Sequence, residues 1–387
     1  MTERGEPNHH RLHTSRRGDE RVTPLELFFD LVFVLAITQC TAYIAHDPSW
    51  TGIGQAMLVL ATLWWIWGGY AWLTSAVDPE AALVRLVMIA AMGALLVTAL
   101  AVPGAFGDTA IAFALAYGAV RVAHIGLFLI ASRDLPDLRR SVLSLAVSSA
   151  IGVGLLVAAS ATDGVAQGAL WIVALTIDVG GPYLFGVEGW KIEPSHFAER
   201  YGLVVIIALG ESIVAIGVGA EGALDAGVIV AAVLGVAVAA GMWWAYFGRV
   251  ATEATQRLAS LPSGAVQNST ARDAYSYLHF PMVAGIVLVA FGLKSTLAHV
   301  HDPLDTIGAV GLLGGVALYL VAHVAFRARV LRTVAVPRLV IAALLVALIP
   351  VSGEITALGS LVGVVVLLWG LLGLEAARDS RPPRAAS

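Results

Sequence analysis

Of the 387 residues, 58% are hydrophobic and only 13% charged, with a mean hydropathy of +0.84 and a formal net charge of -4. Soluble globular domains carry about 25% charged residues, so the composition excludes an ordinary soluble fold, and no basic face interleaved with aromatics points to nucleic acid. The single cysteine, Cys40, excludes an internal disulfide framework.

The chain opens with a polar tail, residues 1–24, in which Arg4, Arg11, Arg16, Arg17 and Arg21 stand among four acids. No small-residue cleavage motif follows, so the first apolar segment reads as a retained helix and not as a signal peptide. His9, His10 and His13 read as part of a solvated tail and not as metal ligands.

Apolar runs then recur at the length needed to cross a hydrocarbon core of about 30 Å. They predict helices near Leu25–Ala45, Ile53–Ser75, Ala81–Ala101, Thr109–Ala131, Leu138–Ser160 and Gln167–Gly186. A second set follows near His196–Val218, Gly227–Val250, Ala274–Leu297, Thr306–Ala328, Val336–Pro350 and Glu354–Glu375. The segment 251–272 reads as a polar connection holding a short surface helix that ends near Pro262, followed by a flexible link.

Arginine placement tests this count. Even-numbered connections carry Arg85, then Arg133, Arg139 and Arg140, then Lys191 and Arg200, then Arg249, Arg257 and Arg272, then Arg327, Arg329, Arg332 and Arg338, with Arg378, Arg381 and Arg384 in the last tail. Odd-numbered connections carry none, and only Arg121 and Lys294 fall outside the set. By the positive-inside rule both termini are cytoplasmic, in the inner membrane.

The two sets of six helices also echo each other. Glu26 to Gln39 aligns with Glu199 to Glu211, Trp64-Trp65 with Trp243-Trp244, V-A-H at His124 with V-A-H at His323, and Arg140 with Arg338. We therefore expect an all-α polytopic membrane protein of about twelve transmembrane helices in two parallel six-helix repeats. Its bounds are a tail at 1–24, repeats at 25–190 and 191–376, and a second cytoplasmic tail at 377–387.

Ionisable side chains at membrane depth are costly and mark candidate sites. At 1.5 Å per residue, Asp30 and Arg121 reach similar depths and are expected to pair. Asp178, His124 and His279 share that level, with Glu26, Glu199 and His323 nearer the cytoplasmic rim. Glu211 and Gln39 lie toward the outer face, with Lys294 in reach. Such a set can bind a cation or exchange protons at carboxylates, relay them through histidines, and hold an anion at Arg121. The alternative is a closed network that fixes helix register, with Glu26 and Glu199 acting as helix caps.

Several other patterns carry less. G-V-G-A-E-G at Gly217 to Gly222 has the letters of a dinucleotide fingerprint without its strand and helix. H-V-H-D at His299 to Asp302 reads as a solvated outer loop, and Trp64, Trp65, Trp67, Trp72, Trp243 and Trp244 as packing and interfacial anchors. No catalytic set, metal site or cofactor is assigned.

The stretch E-L-F-F-D-L-V-F-V-L-A-I-T-Q at Glu26, with H-F-A-E-R-Y-G-L-V-V-I-I-A-L-G-E-S-I at His196, resembles the bacterial low temperature requirement protein A family, from Glu26 to about Glu375. The resemblance implies a multi-pass membrane protein associated with growth in the cold. F-F-D-L-V-F-V-L-A-I-T at Phe28 is also similar to the first helix of potassium channels with six-helix repeats and an F-S-D motif, although Phe29 replaces the Ser and Pro24 an arginine. The leading expectation is a transporter, or a proton or cation pathway, with a small solute or ion bound between the repeats in the lipid bilayer. Its candidate residues are Glu26, Asp30, Arg121, His124, Asp178, Glu199, Glu211 and His279. The alternatives are an intramembrane enzyme for a lipid-derived substrate and a structural membrane protein without transport.

Overall fold

A computed structural model describes residues 21–184, 189–220 and 224–379, and the chain is 84% helical with no strand among the described residues. The tail histidines and the end of the G-V-G-A-E-G motif lie outside them. Among the described residues, twelve helices are long and apolar enough to cross a membrane. They are α1 (Pro24–His46), α2 (Trp50–Ala76), α3 (Ala82–Leu100), α4 (Ala110–Ala131), α5 (Pro136–Ala159) and α6 (Gly164–Leu184). The rest are α7 (Pro194–Gly219), α8 (Ala226–Phe247), α9 (Ala265–Ala298), α10 (Thr306–Val330), α11 (Val336–Gly353) and α12 (Ala357–Arg378).

Polar residues set the helix starts. Thr23 and Glu26 form a reciprocal capping box on α1, with Pro24 at the first helical position, where its missing N–H costs nothing. Ser49, Glu193 and Asp225 cap α2, α7 and α8, each side-chain oxygen accepting from the backbone N–H three residues on.

The polar connection 251–272 departs from expectation. Its first part is the helix Val250–Ala259, with Val250, Ala254 and Leu258 buried at four-residue spacing. The remainder is not a flexible link but the first turns of α9, which starts at Ala265. There Asn268 donates to the Trp190 carbonyl at 2.6 Å and Gln267 to that of Leu258 at 3.1 Å, so a polar sequence is helical because tertiary partners satisfy it. α9 then passes through a π-helical segment, Arg272–Tyr277, a geometry that recurs at functional sites.

The packing order of the first six helices recurs in the second six. α1 packs on α2 and α3, α3 on α4, α4 on α5 and α5 on α6; likewise α7 packs on α8 and α9, α9 on α10, α10 on α11 and α11 on α12. The contact between the halves is one-sided. α1 and α2 lie against α7 and α9, whereas α3, the positional counterpart of α9, makes no comparable contact with α7. The most buried helices, α2 and α9, carry large aromatics on this inner surface, and α9 approaches α10 closely where Gly285 faces Gly315. A Cβ on Gly285 would lie 2.7 Å from the Gly315 carbonyl oxygen, so neither position has room for a side chain.

Candidate functional site

Among the described residues, buried charge falls into three clusters, with Glu211 apart from them. The first joins α1 to α7. Asp30 accepts from Arg200 Nη2 at 2.7 Å and from the Trp67 indole at 2.8 Å. Arg200 Nη1 also lies 3.1 Å from Glu26, as does His196 Nε2. All four ionisable side chains are 0–2% exposed. The face of Trp67 lies 5.7 Å from the Arg200 guanidinium and adds a cation–π contact.

This corrects two expectations. Asp30 does not pair with Arg121, and Arg200 is not in a connection; it is the seventh residue of α7, wholly buried. A sequence signal for the pairing exists. Glu26 and Asp30 are four apart, as are His196 and Arg200, so each pair shares one face of its helix one turn apart. Two acids and two basic groups at equal spacing on two parallel helices match tooth for tooth. Glu199, the aligned counterpart of Glu26, is exposed on another face of α7 and has no part in the cluster.

At the far end of the same seam Thr38 donates to Glu211 at 2.5 Å, and Glu211 is 3% exposed. Gln39, the expected partner, is displaced by its neighbour on α1. α7 runs unbroken through this region, and Gly219 is pressed against the Lys294 carbonyl of α9.

The second cluster lies within the first half and brings together three of the predicted residues. Arg121 on α4 reaches Asp178 on α6 at 2.9 Å and Ser149 on α5 at 2.6 Å, and Ser149 donates to Asp178 at 2.7 Å. Tyr117 donates to the other Asp178 oxygen. His124 contacts the Gly69 carbonyl through Nε2 at 2.9 Å, which makes Nε2 the donor and turns the Nδ1 lone pair toward Arg121 Nη1 at 3.5 Å. A Cβ on Gly69 would lie 3.0 Å from that ring, so a side chain there would push the imidazole aside. His279 joins neither cluster. It bonds Tyr246 at 2.8 Å and the Ala274 carbonyl at 3.0 Å, enclosed by Tyr201, Tyr275 and Phe326.

The third cluster lies in the second half, where Arg338 forks onto Glu375 at 2.9 and 2.8 Å and contacts His323 at 2.7 Å. Each half thus ties a histidine of its fourth helix to an acid of its sixth through an arginine. That arginine comes from α4 in one half and from α11 in the other.

Beside Arg121 and His124, a narrow cavity of about 50 Å³ runs between α2, α6 and the π segment of α9, walled by Trp65, Trp72, Trp190 and Arg272. It adjoins a wider crevice of about 250 Å³ that shares Trp65 and Ser276. Ser276 is fixed by the Trp72 indole at 2.8 Å and Tyr201 at 3.0 Å, while its carbonyl accepts from Trp64 at 2.7 Å. The Trp65 indole N–H is buried without a partner among the described residues, leaving one donor at the wall. Two of the tryptophans read from sequence as packing therefore line a void. At the opposite end of the bundle His299 and His301 are exposed. The Asp225 carboxyl is held below the usual aspartate range, mainly by the Val228 N–H and also by His301. No group of metal ligands occurs among the described residues.

These features define a class: a polytopic all-helical membrane protein with paired charges buried in its helix seams. The sequence profile of the bacterial low temperature requirement A protein matches residues 21–372, and the chain belongs to that family. It is 33% identical over 315 residues to a protein of Rhizobium meliloti (strain 1021) that is named only as uncharacterised, covering 76% of this chain and 74% of that one. No solved structure matches the chain.

Proposed function

We propose that the protein is a proton-coupled transporter of the inner membrane with both termini cytoplasmic, built from two six-helix repeats. On this reading the α1–α7 seam carries the proton and the aromatic cavity beside it holds the solute. One observation carries the reading. Helix α2 bonds the quartet from one face, through Trp67 to Asp30 and Ser75 to His196 at 3.4 Å, and lines the cavity with Gly68, Gly69 and Trp72. A change at the quartet must therefore be felt at the cavity wall.

Charge balance supplies the proton step. With both acids ionised, Glu26, Asp30 and Arg200 sum to one negative charge, so one proton held within the quartet brings it to neutrality in a place where net charge is costly. Ser75 donates to the Ala71 carbonyl, so its oxygen lone pairs are free to accept from His196 Nδ1. Both His196 ring nitrogens thus face oxygen atoms, Nε2 toward Glu26 and Nδ1 toward Ser75. Loss of the proton leaves an unbalanced acid between α1 and α7 and favours parting of the seam. The shared packing order supports the two repeats, and the Arg-rich even connections support the orientation.

A second reading has its own observation. Every ionisable group of the quartet is paired and at most 2% exposed, which also fits a static tie in a structural membrane protein. Reconstituted protein separates the two. Collapse of an imposed pH gradient, followed with an entrapped dye in sodium and in potassium buffers, is expected from wild type and should fall at least tenfold in Glu26→Gln and Asp30→Asn. Flux that both variants retain removes the quartet from the path, and a wild type that leaves the gradient intact favours the static tie.

A further inference from the structure

A separate groove lies at the arginine-rich end of the bundle. It opens between the end of α8, the helix Val250–Ala259, the end of α10, the start of α11 and the end of α12, with a volume of about 550 Å³. Four arginines line it, Arg249, Arg327, Arg338 and Arg378, against two acids, Glu253 and Glu375. Arg249 is matched with Glu253 at 3.0 Å and Arg338 with Glu375 at 2.8 Å, which leaves two positive charges in excess. Arg327 Nε is buried with no partner among the described residues, and the one contact of its guanidinium, to Thr333, is 3.5 Å long. The half-buried Arg327 guanidinium thus has no carboxylate partner among the described residues and only one long hydrogen bond, which leaves its charge available to an anion in the groove.

The depth of the groove identifies the kind of anion. Trp244 forms part of the wall and is 52% exposed, beside Trp243 at 43%, both within the last turn or so of α8. Exposed tryptophans on membrane helices mark the boundary between hydrocarbon and headgroups. The groove thus lies at headgroup level, at the arginine-rich end of the bundle, with one side open to lipid. We propose that it binds a phosphate-bearing anion, with Arg327 and Arg378 as the ligating cations and Arg338 held as a backing charge by Glu375. The phosphate is that of an anionic lipid headgroup or of a free phosphate compound. A basic pocket between helices at this level suits either.

Two probes distinguish the sources. Purified protein is titrated with phosphatidylglycerol in detergent, with adducts counted by native mass spectrometry, and separately with inorganic phosphate in a calorimeter; phosphatidylcholine is the neutral control. Saturable binding of phosphatidylglycerol alone assigns a lipid site, and saturable binding of inorganic phosphate assigns a free-anion site. Arg327→Gln and Arg378→Gln should each weaken binding about fivefold, and together about thirtyfold. Arg133→Gln, an exposed arginine outside the groove, should change nothing. Arg378 is exposed, so its variant tests the site without disturbing the core, and thermal melts check the fold of each variant. No saturation with either probe, or equal losses in Arg133→Gln and Arg378→Gln, overturns the proposal. The test does not depend on whether the protein moves protons.

Discussion

Arg200 joins two helices by itself, because it pairs with two acids of α1 and all three side chains are at most 1% exposed. Removing one member of a buried ion pair leaves an uncompensated charge, at a cost of about 3–5 kcal/mol, whereas removing both members can be nearly neutral. Arg200→Met should therefore lower stability by about that amount, and the triple variant Glu26→Gln, Asp30→Asn, Arg200→Met should recover most of it, as read by denaturant unfolding in micelles. Equal stabilities of wild type and Arg200→Met would show that the pair is not formed. Arg121 makes a second case. It serves Ser149 through Nε and Asp178 through Nη2, a fork that lysine cannot reproduce, so Arg121→Lys should destabilise nearly as much as Arg121→Gln. Of the eight residues singled out in the sequence, Arg121, His124 and Asp178 meet one another, Glu26 and Asp30 meet others, and Glu199 faces outward. Depth along a helix was legible from residue count. Azimuth was not, because it depends on which neighbour each helix turns toward.

At the level of elements, α2 and the π segment of α9 shape the cavity, and Gly69 sets how closely α4 approaches α2. Gly69→Ala places a methyl about 3 Å from the His124 ring and should displace it. The expected result is a folded protein with altered flux, checked by comparing thermal melts with gradient collapse. Helix ends are simpler. Asp225 caps α8, so Asp225→Ala should lower the melting temperature near neutral pH. The folded state holds this carboxyl below its ordinary value of 3.8. Its contribution is therefore fully present above that value and is lost as pH falls below it. Melting temperatures of wild type and variant should converge only under acid conditions; convergence near neutral pH would contradict the cap. Caps of this kind were readable in the sequence, as at Thr23 and Glu26, since they involve neighbours three residues apart. The start of α9 was not, because the polar run before Arg272 becomes helical through Trp190 and Leu258, which are distant in the chain.

For the whole molecule the question is whether the two halves move along the α1–α7 seam. Thr38 and Glu211 close one end of it and the charged quartet the other. In a Cys40→Ser background, Thr38→Cys with Glu211→Cys joined by a short bifunctional thiol reagent should abolish gradient collapse if the seam opens in each cycle. Undiminished flux after complete cross-linking would make the seam a fixed joint. The amino-acid sequence alone determined the class, the twelve spans and most of their bounds, because crossing a bilayer demands a length and an apolarity that are written locally in the chain. It also determined that charge had entered the helices, and in the stretch from Glu26 to Gln39 it identified the helix on which the seam is built. Only the tertiary structure decided the partners: Arg200 and not Arg121 for Asp30, Thr38 and not Gln39 for Glu211, and a cavity walled by tryptophans that sequence alone assigns to packing. A partner depends on the rotation and tilt of two helices far apart in sequence, and those follow from the packing of the whole bundle.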